Sequence, residues 1–263
     1  AAPFRCGSNF CLQVCTNNCV TLKVHWVACP VHNRCHKFGR SVKAIIAQSK
    51  TLVIYGVYTF FFVLMLGIIG QYIPFDTDIA FLRIKQQYVD IPHYIPAFAV
   101  HTFSSVICLL AGFTQFSPMV RKRWPSLHRG MGKLYVFSVL ALIAPSGFII
   151  GVYANGGIWS QIAFCLLAVL WFVFTAIAYQ SIRKGQIVRH QQFMLRSFAL
   201  ALSAITLRAW KYVIVAAFHP RPMDVYQIIA WLGWVLNLAV AEYIIFKWIK
   251  KWKRSTSLAS WHL

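Results

Sequence analysis

The apolar residues of this chain fall in blocks of about twenty. That is the length a helix needs to cross a hydrocarbon layer of ~30 Å at 1.5 Å per residue. The blocks run over residues 52–73, 97–117, 132–153, 158–180, 193–218 and 226–246. Strands of a membrane β-barrel would be about ten residues long with strict alternation, and neither feature is present. The expected fold is all-α: a polytopic transmembrane bundle of about six spanning helices. Composition agrees, because 12% charged residues cannot cover the surface of a water-soluble globule of 263 residues.

The basic residues set the orientation. Arg40, Lys43 and Lys50 precede the first block. Arg121, Lys122, Arg123 and Arg129 lie between the second and third, and Arg183, Lys184 and Arg189 between the fourth and fifth. Lys247, Lys250, Lys251, Lys253 and Arg254 follow the sixth. The alternate connections hold Arg83 and Lys85, then none, then Arg221. The positive-inside rule therefore places both bundle ends in the cytoplasm. The net charge of +21 has the same origin. The clusters flank the apolar blocks, where they meet anionic lipid headgroups. A nucleic-acid module would need a basic domain outside the membrane, and no segment is long enough to supply one.

Three regions follow: a cysteine-rich extension over 1–49, a transmembrane domain over 50–250 and a basic cytoplasmic tail over 251–263. The extension holds Cys6, Cys11, Cys15, Cys19, Cys29 and Cys35 with His25, His32 and His36. A zinc module is one reading, but no C-x2-C pair occurs. A disulfide knot needs an oxidising compartment, and this segment is expected in the cytoplasm. It reads as an addition outside the evolved fold.

Polar groups inside the bilayer are costly and mark candidate sites. His101, Ser105, Cys108, Gly112 and Gln115 form one helical stripe in the second block. Ser197, Ala201, Ala204, Arg208 and Lys211 form another in the fifth. With alternating crossings, His101 lies about 9 Å outward of the midplane, and Arg208 and Lys211 about 4 to 9 Å outward. They could line an outward-facing cationic pocket for an anionic ligand or a cofactor carboxylate. The simpler reading is a buried polar network with Lys211 snorkelling. Asn237 sits near the middle of the sixth block. Glu242 lies nearer the cytoplasm, closer to Arg196 than to Arg208.

The histidines raise haem b, which needs two facing imidazoles at one depth. His101 could pair with His219, or His128 with His190, where Arg129 and Arg189 could take propionates. His190 and His219 are ~43 Å apart along a helix, so at least one lies outside the hydrocarbon. No hydrolase, zinc-protease or phosphate-loop motif is present. The five acidic residues leave little for paired-carboxylate chemistry, so an enzyme is not the favoured reading. Pro145-Ser146-Gly147 is the one candidate helix break of the kind transporters use.

Four segments carry a resemblance: HTFSSVICLLAGFTQF (101–116), WPSLHRGMGKLYV (124–136), RHQQFMLRSFALALSAITLR (189–208) and WLGWVLNLAVAEY (231–243). They resemble a bacterial family of predicted multi-pass membrane proteins, domain of unknown function 2306. The resemblance covers about 50–250. It implies a helical bundle in a bacterial plasma membrane and brings no activity. It carries over His101, His128, Arg129, Gly132, His190, Arg196, Arg208, Asn237 and Glu242 as positions of interest. The competing functions are haem or quinone binding in electron transfer, small-solute transport, and membrane assembly without a ligand.

Overall fold

A computed structural model describes residues 5–6, 10–14, 24–28, 49, 52–53, 56–116, 118–219 and 222–259. Two units separate, Ala1–Phe60 and Phe61–Leu263. In the first, strands β1 (Arg5–Cys6), β2 (Phe10–Val14) and β3 (Val24–Ala28) pair antiparallel in that order. The side chains of its cysteines and histidines lie outside the described residues.

Among its described residues the regular structure of the second unit is all helical. The apolar helix α1 (Gly56–Gly70) leads into it. A 3-10 turn (Leu82–Lys85) and α2 (Gln86–Val89) precede the main bundle. Then come α3 (Tyr94–Gln115), α4 (Pro118–Arg123), α5 (Pro125–Phe137), a π-helical segment (Ser138–Ile143) and α6 (Ala144–Val152). The chain continues through α7 (Ile158–Arg183), α8 (Ile187–Ala201), α9 (Ser203–Phe218) and α10 (Pro222–Ala259).

Among the described residues four helical stretches are long and apolar enough to span a membrane: Tyr94–Gly112, Pro125–Val152, Ile158–Arg183 and Val225–Lys250. The bent pair α8–α9 makes a fifth. Only 28–39% of each of the four apolar windows is buried, so most of their side chains face outward. Val169, Phe172 and Val173 on α7 and Val240, Ile244 and Phe246 on α10 are among them. Water would not tolerate such a surface, whereas lipid matches it. Of the first block, expected over 52–73, the described helix Gly56–Gly70 is by itself shorter than a spanning element.

Three local features depart from the expected pattern. Pro145 does not break its span. The π-helical turn before it, in which the Ala144 amide reaches back to Val139 O, gives the ring room and keeps Pro125–Val152 continuous. The break falls instead at Leu202, where α8 and α9 bend by 41°. Ala199 O, which would bond the Ser203 amide in an unbroken helix, accepts from Asn237 Nδ2 at 3.1 Å. Thr206 Oγ1 accepts from the same amide at 3.0 Å and donates to Gly233 O on α10. Finally, the segments expected as basic loops are helical. Pro125 opens α5 at its first turn. Gly185, at φ 71, ends α7 in the left-handed conformation that glycine adopts at low cost. His128, Arg129, Arg189 and His190 thus lie in first turns of helices.

The core between α5, α7, α8 and α10 is built on Tyr135, Val139, Ile143, Trp171, Leu200 and Trp234. Glycines set the closest approaches. A Cβ on Gly112 would meet the Phe198 ring at 2.5 Å, and one on Gly233 would meet Leu207 Cβ at 3.0 Å. Small residues do the same work in membrane bundles generally.

Candidate functional site

A cavity of about 330 Å³ lies within the bundle, between α1, α3, α6, α7 and α9, with Tyr226 of α10 at its edge. One end is capped by aromatic rings from the 72–98 region. Tyr72 meets Phe98 edge-on at 5.3 Å and Phe81 stacks on Phe98 at 6.1 Å. Tyr94 meets Tyr153 edge-on at 5.5 Å.

Lys85 is buried under this cap at 1% exposure and lines the cavity. Its ammonium donates to Tyr153 O and lies 4.8 Å from the Tyr88 ring centre. Burial lowers its pKa to about 8, because a low-dielectric site disfavours the charged form.

His101 and Arg208 face the same cavity from α3 and α9. His101 Nδ1 lies 3.0 Å from Ile143 O in the π-helical segment. A carbonyl only accepts, so Nδ1 carries the proton, and Nε2 of the neutral ring presents a lone pair. Gly147 makes room for this ring; a Cβ there would lie 3.0 Å from its Cε1. Arg208 spends one N–H on Ala204 O at 2.6 Å. Among the described residues no carboxylate pairs with it. Lys211, expected at the same level, is exposed and does not line the cavity.

The cavity's deep end rests on a polar chain. Trp171 Nε1 donates to Tyr135 Oη at 3.3 Å. Tyr135 and Ser197 hydroxyls are 2.8 Å apart, and those of Ser197 and Thr175 2.7 Å apart. Thr175 gives its proton to Trp171 O at 2.7 Å. Ser197 therefore donates to Thr175 and Tyr135 to Ser197, so every proton is used. Sequence reasoning placed Ser197 on an inward stripe but had no signal for Tyr135 or Thr175, which look like ordinary members of apolar blocks.

The remaining candidates lie elsewhere. Arg196 forks onto Glu242, with Nη2 to Oε2 at 2.9 Å and Nε to Oε1, and lies 4.8 Å from the Phe193 ring. Asn237 braces the α8–α9 bend. His190 Nδ1 is 2.9 Å from Ala178 O, so it too carries its proton on Nδ1. His128 Nδ1 is buried without a partner among the described residues, while Arg129 is exposed. Gly132 lets Gln115 approach, a Cβ there lying 3.1 Å from Oε1, and Gln115 Nε2 donates to His128 O at 3.2 Å. His219 ends α9, exposed and with a positive φ of 46. It does not line the cavity with His101. No cluster of three or more His, Cys, Asp or Glu suited to a metal occurs among the described residues.

A bundle of long helices with an apolar surface and a few ionisable side chains inside defines a multi-pass membrane protein. The family model described as predicted membrane protein DUF2306 matches residues 98–245. The chain belongs to that family. No curated protein and no solved structure matches it.

Proposed function

We propose that this chain binds a small molecule in the cavity shared by His101 and Arg208. The observation that carries the reading is the meeting of a cation and a lone-pair imidazole nitrogen on one interior space. Ionisable groups at such positions are kept for function more often than for stability. The cavity occupies the half of the bundle bearing the 71–93 and 153–157 connections, opposite Arg121–Arg123 and Lys184.

In the proposed topology α1 completes a sixth span, and both bundle ends face the cytoplasm of a bacterial plasma membrane. Anionic lipids then contact the basic end, and the cavity lies in the outer half. Reporter fusions after Asn155 and Arg254 test this; an extracytoplasmic C-terminus overturns it. Residues 1–45 act as an extension, and their deletion is expected to leave insertion unchanged.

Mass spectrometry of the gently extracted full chain tests the binding reading. A small molecule should co-purify and be lost in Gly147→Leu, whose side chain enters the cavity. If wild type and variant carry the same species or none, the reading fails.

A second reading, transport, is favoured by the break at Leu202, because Ala201, Ser203 and Ala204 beside it line the cavity and broken helices form transporter sites. Ser203→Cys should then react with impermeant thiol reagents from both membrane faces, whereas a binding protein exposes it to one at most. A Soret band lost on His128→Ala or His190→Ala would support haem-linked electron transfer instead.

A further inference from the structure

The cavity carries its basic side chains, Lys85, His101 and Arg208, toward one end, and the lining of α3 and of the α8–α9 pair becomes mostly apolar away from it. Along α3 the lining runs from His101, Thr102 and Ser105 to Cys108 and Leu109. Along α9 and the end of α8 it runs from Arg208 back to Ala204 and Ala201. Met65, Ile68 and Ile69 of α1 add an apolar wall, with Tyr72 of the cap just beyond that helix, while Trp171 of α7 reaches the deep end. From His101 to Cys108 the wall on α3 is about 10 Å long at 1.5 Å per residue. The separation thus has one sense on two independent elements, α3 and the α8–α9 pair.

We infer that the occupant is a single-chain carboxylic acid of the fatty-acid type, its head between Arg208 and His101 and its chain toward Trp171. This rests on the cavity reading above and names its ligand class. Arg is permanently charged and planar, and its fork matches a carboxylate. His101, with its proton on Nδ1, offers Nε2 to the acid proton. That proton moves to Nε2, the Nδ1–H stays on Ile143 O, and the carboxylate lies between the imidazolium and the guanidinium. A cavity of about 330 Å³ has room for a single alkyl chain. Within the cavity's length each added methylene contributes ~0.8 kcal/mol, about fourfold in affinity.

The test uses the full chain in phosphatidylcholine nanodiscs with ω-bromo fatty acids as probes. Bromine quenches indoles that it touches. Wild type should show saturable quenching that disappears in Trp171→Phe and strengthens with chain length until the cavity is filled. Arg208→Gln should weaken binding about ten- to a hundredfold, the loss expected for a hydrogen bond to a charged group. Arg208→Lys should fall between, keeping charge without the fork. The ω-bromo alcohol of equal length needs no variant. If it binds as well as the acid, the acid-head assignment is wrong while the cavity reading stands. If a quinone or a two-chain lipid displaces the probe more strongly than any fatty acid, the class is likewise wrong. If neither probe quenches saturably and Trp171→Phe changes nothing, the cavity reading itself falls.

Discussion

His101 Nδ1 lies 3.0 Å from Ile143 O, and Gly147, four residues further along the same helix, leaves space for the ring. Ile143 O, at the end of the π-helical segment, also accepts from Ser146 Oγ at 3.2 Å, and the glycine admits the ring. Alanine at 147 would put a Cβ 3.0 Å from Cε1 and 3.1 Å from Nδ1. A helical Gly→Ala change normally gains about 1 kcal/mol. Here the pinned ring cannot retreat, and overpacking costs about 1–3 kcal/mol. Gly147→Ala should therefore lower thermal stability in detergent. In a His101→Ala background the same change should be neutral or stabilising, because the obstructing ring is gone. The double-mutant cycle reads this directly. An equal effect of Gly147→Ala in both backgrounds would refute the contact.

The α8–α9 bend makes a second prediction. Asn237 Nδ2 reaches Ala199 O and Thr206 Oγ1, and Thr206 reaches Gly233 O. Interhelical hydrogen bonds in membranes average ~0.6 kcal/mol and reach ~1.7. Asn237→Ala and Thr206→Val should each destabilise by about that amount. Together they should cost less than their sum, since each removes the shared bond. Spin labels on Phe193 and Tyr212 should also report straightening across Leu202 in Asn237→Ala. An unchanged label separation would show that helix packing alone holds the bend.

How much of this was legible in the sequence follows from what each signal depends on. Block length gave the long spans because hydrocarbon thickness fixes it. Helical spacing put His101, Ser105 and Cys108 on one stripe, and depth arithmetic put His101 and Arg208 at one level; both line the cavity. Lys211 did not follow: one turn beyond Arg208 it lies past the end of the cavity lining on α9 and is exposed. The break was assigned to Pro145 because proline is the visible breaker. A π-helical turn absorbs it there, while the bend at Leu202 is braced by Asn237, 35 positions away in sequence. Lys85 looked like one more loop charge, and only the fold buries it against Phe81, Tyr88 and Tyr153 O.

That burial gives the third prediction, a pH dependence of stability. Lys85 has its pKa lowered from 10.5 to about 8 in the folded protein by desolvation. Below about pH 8 both folded and unfolded chains carry the proton, and the fold bears the full cost of a buried ammonium. Between about 8 and 10.5 the folded protein has lost the proton while the unfolded chain retains it. The unfolded state then binds more protons, so stability rises with pH through this window. Lys85→Met keeps the apolar stem and removes the charge. It should be more stable than wild type near neutrality unless the lost bond to Tyr153 O outweighs the relieved desolvation. In either case the rise between pH 8 and 10.5 should flatten. Unfolding midpoints of both proteins across that range provide the check. A wild-type rise that persists unchanged in Lys85→Met would assign it to other groups and remove Lys85 as its source.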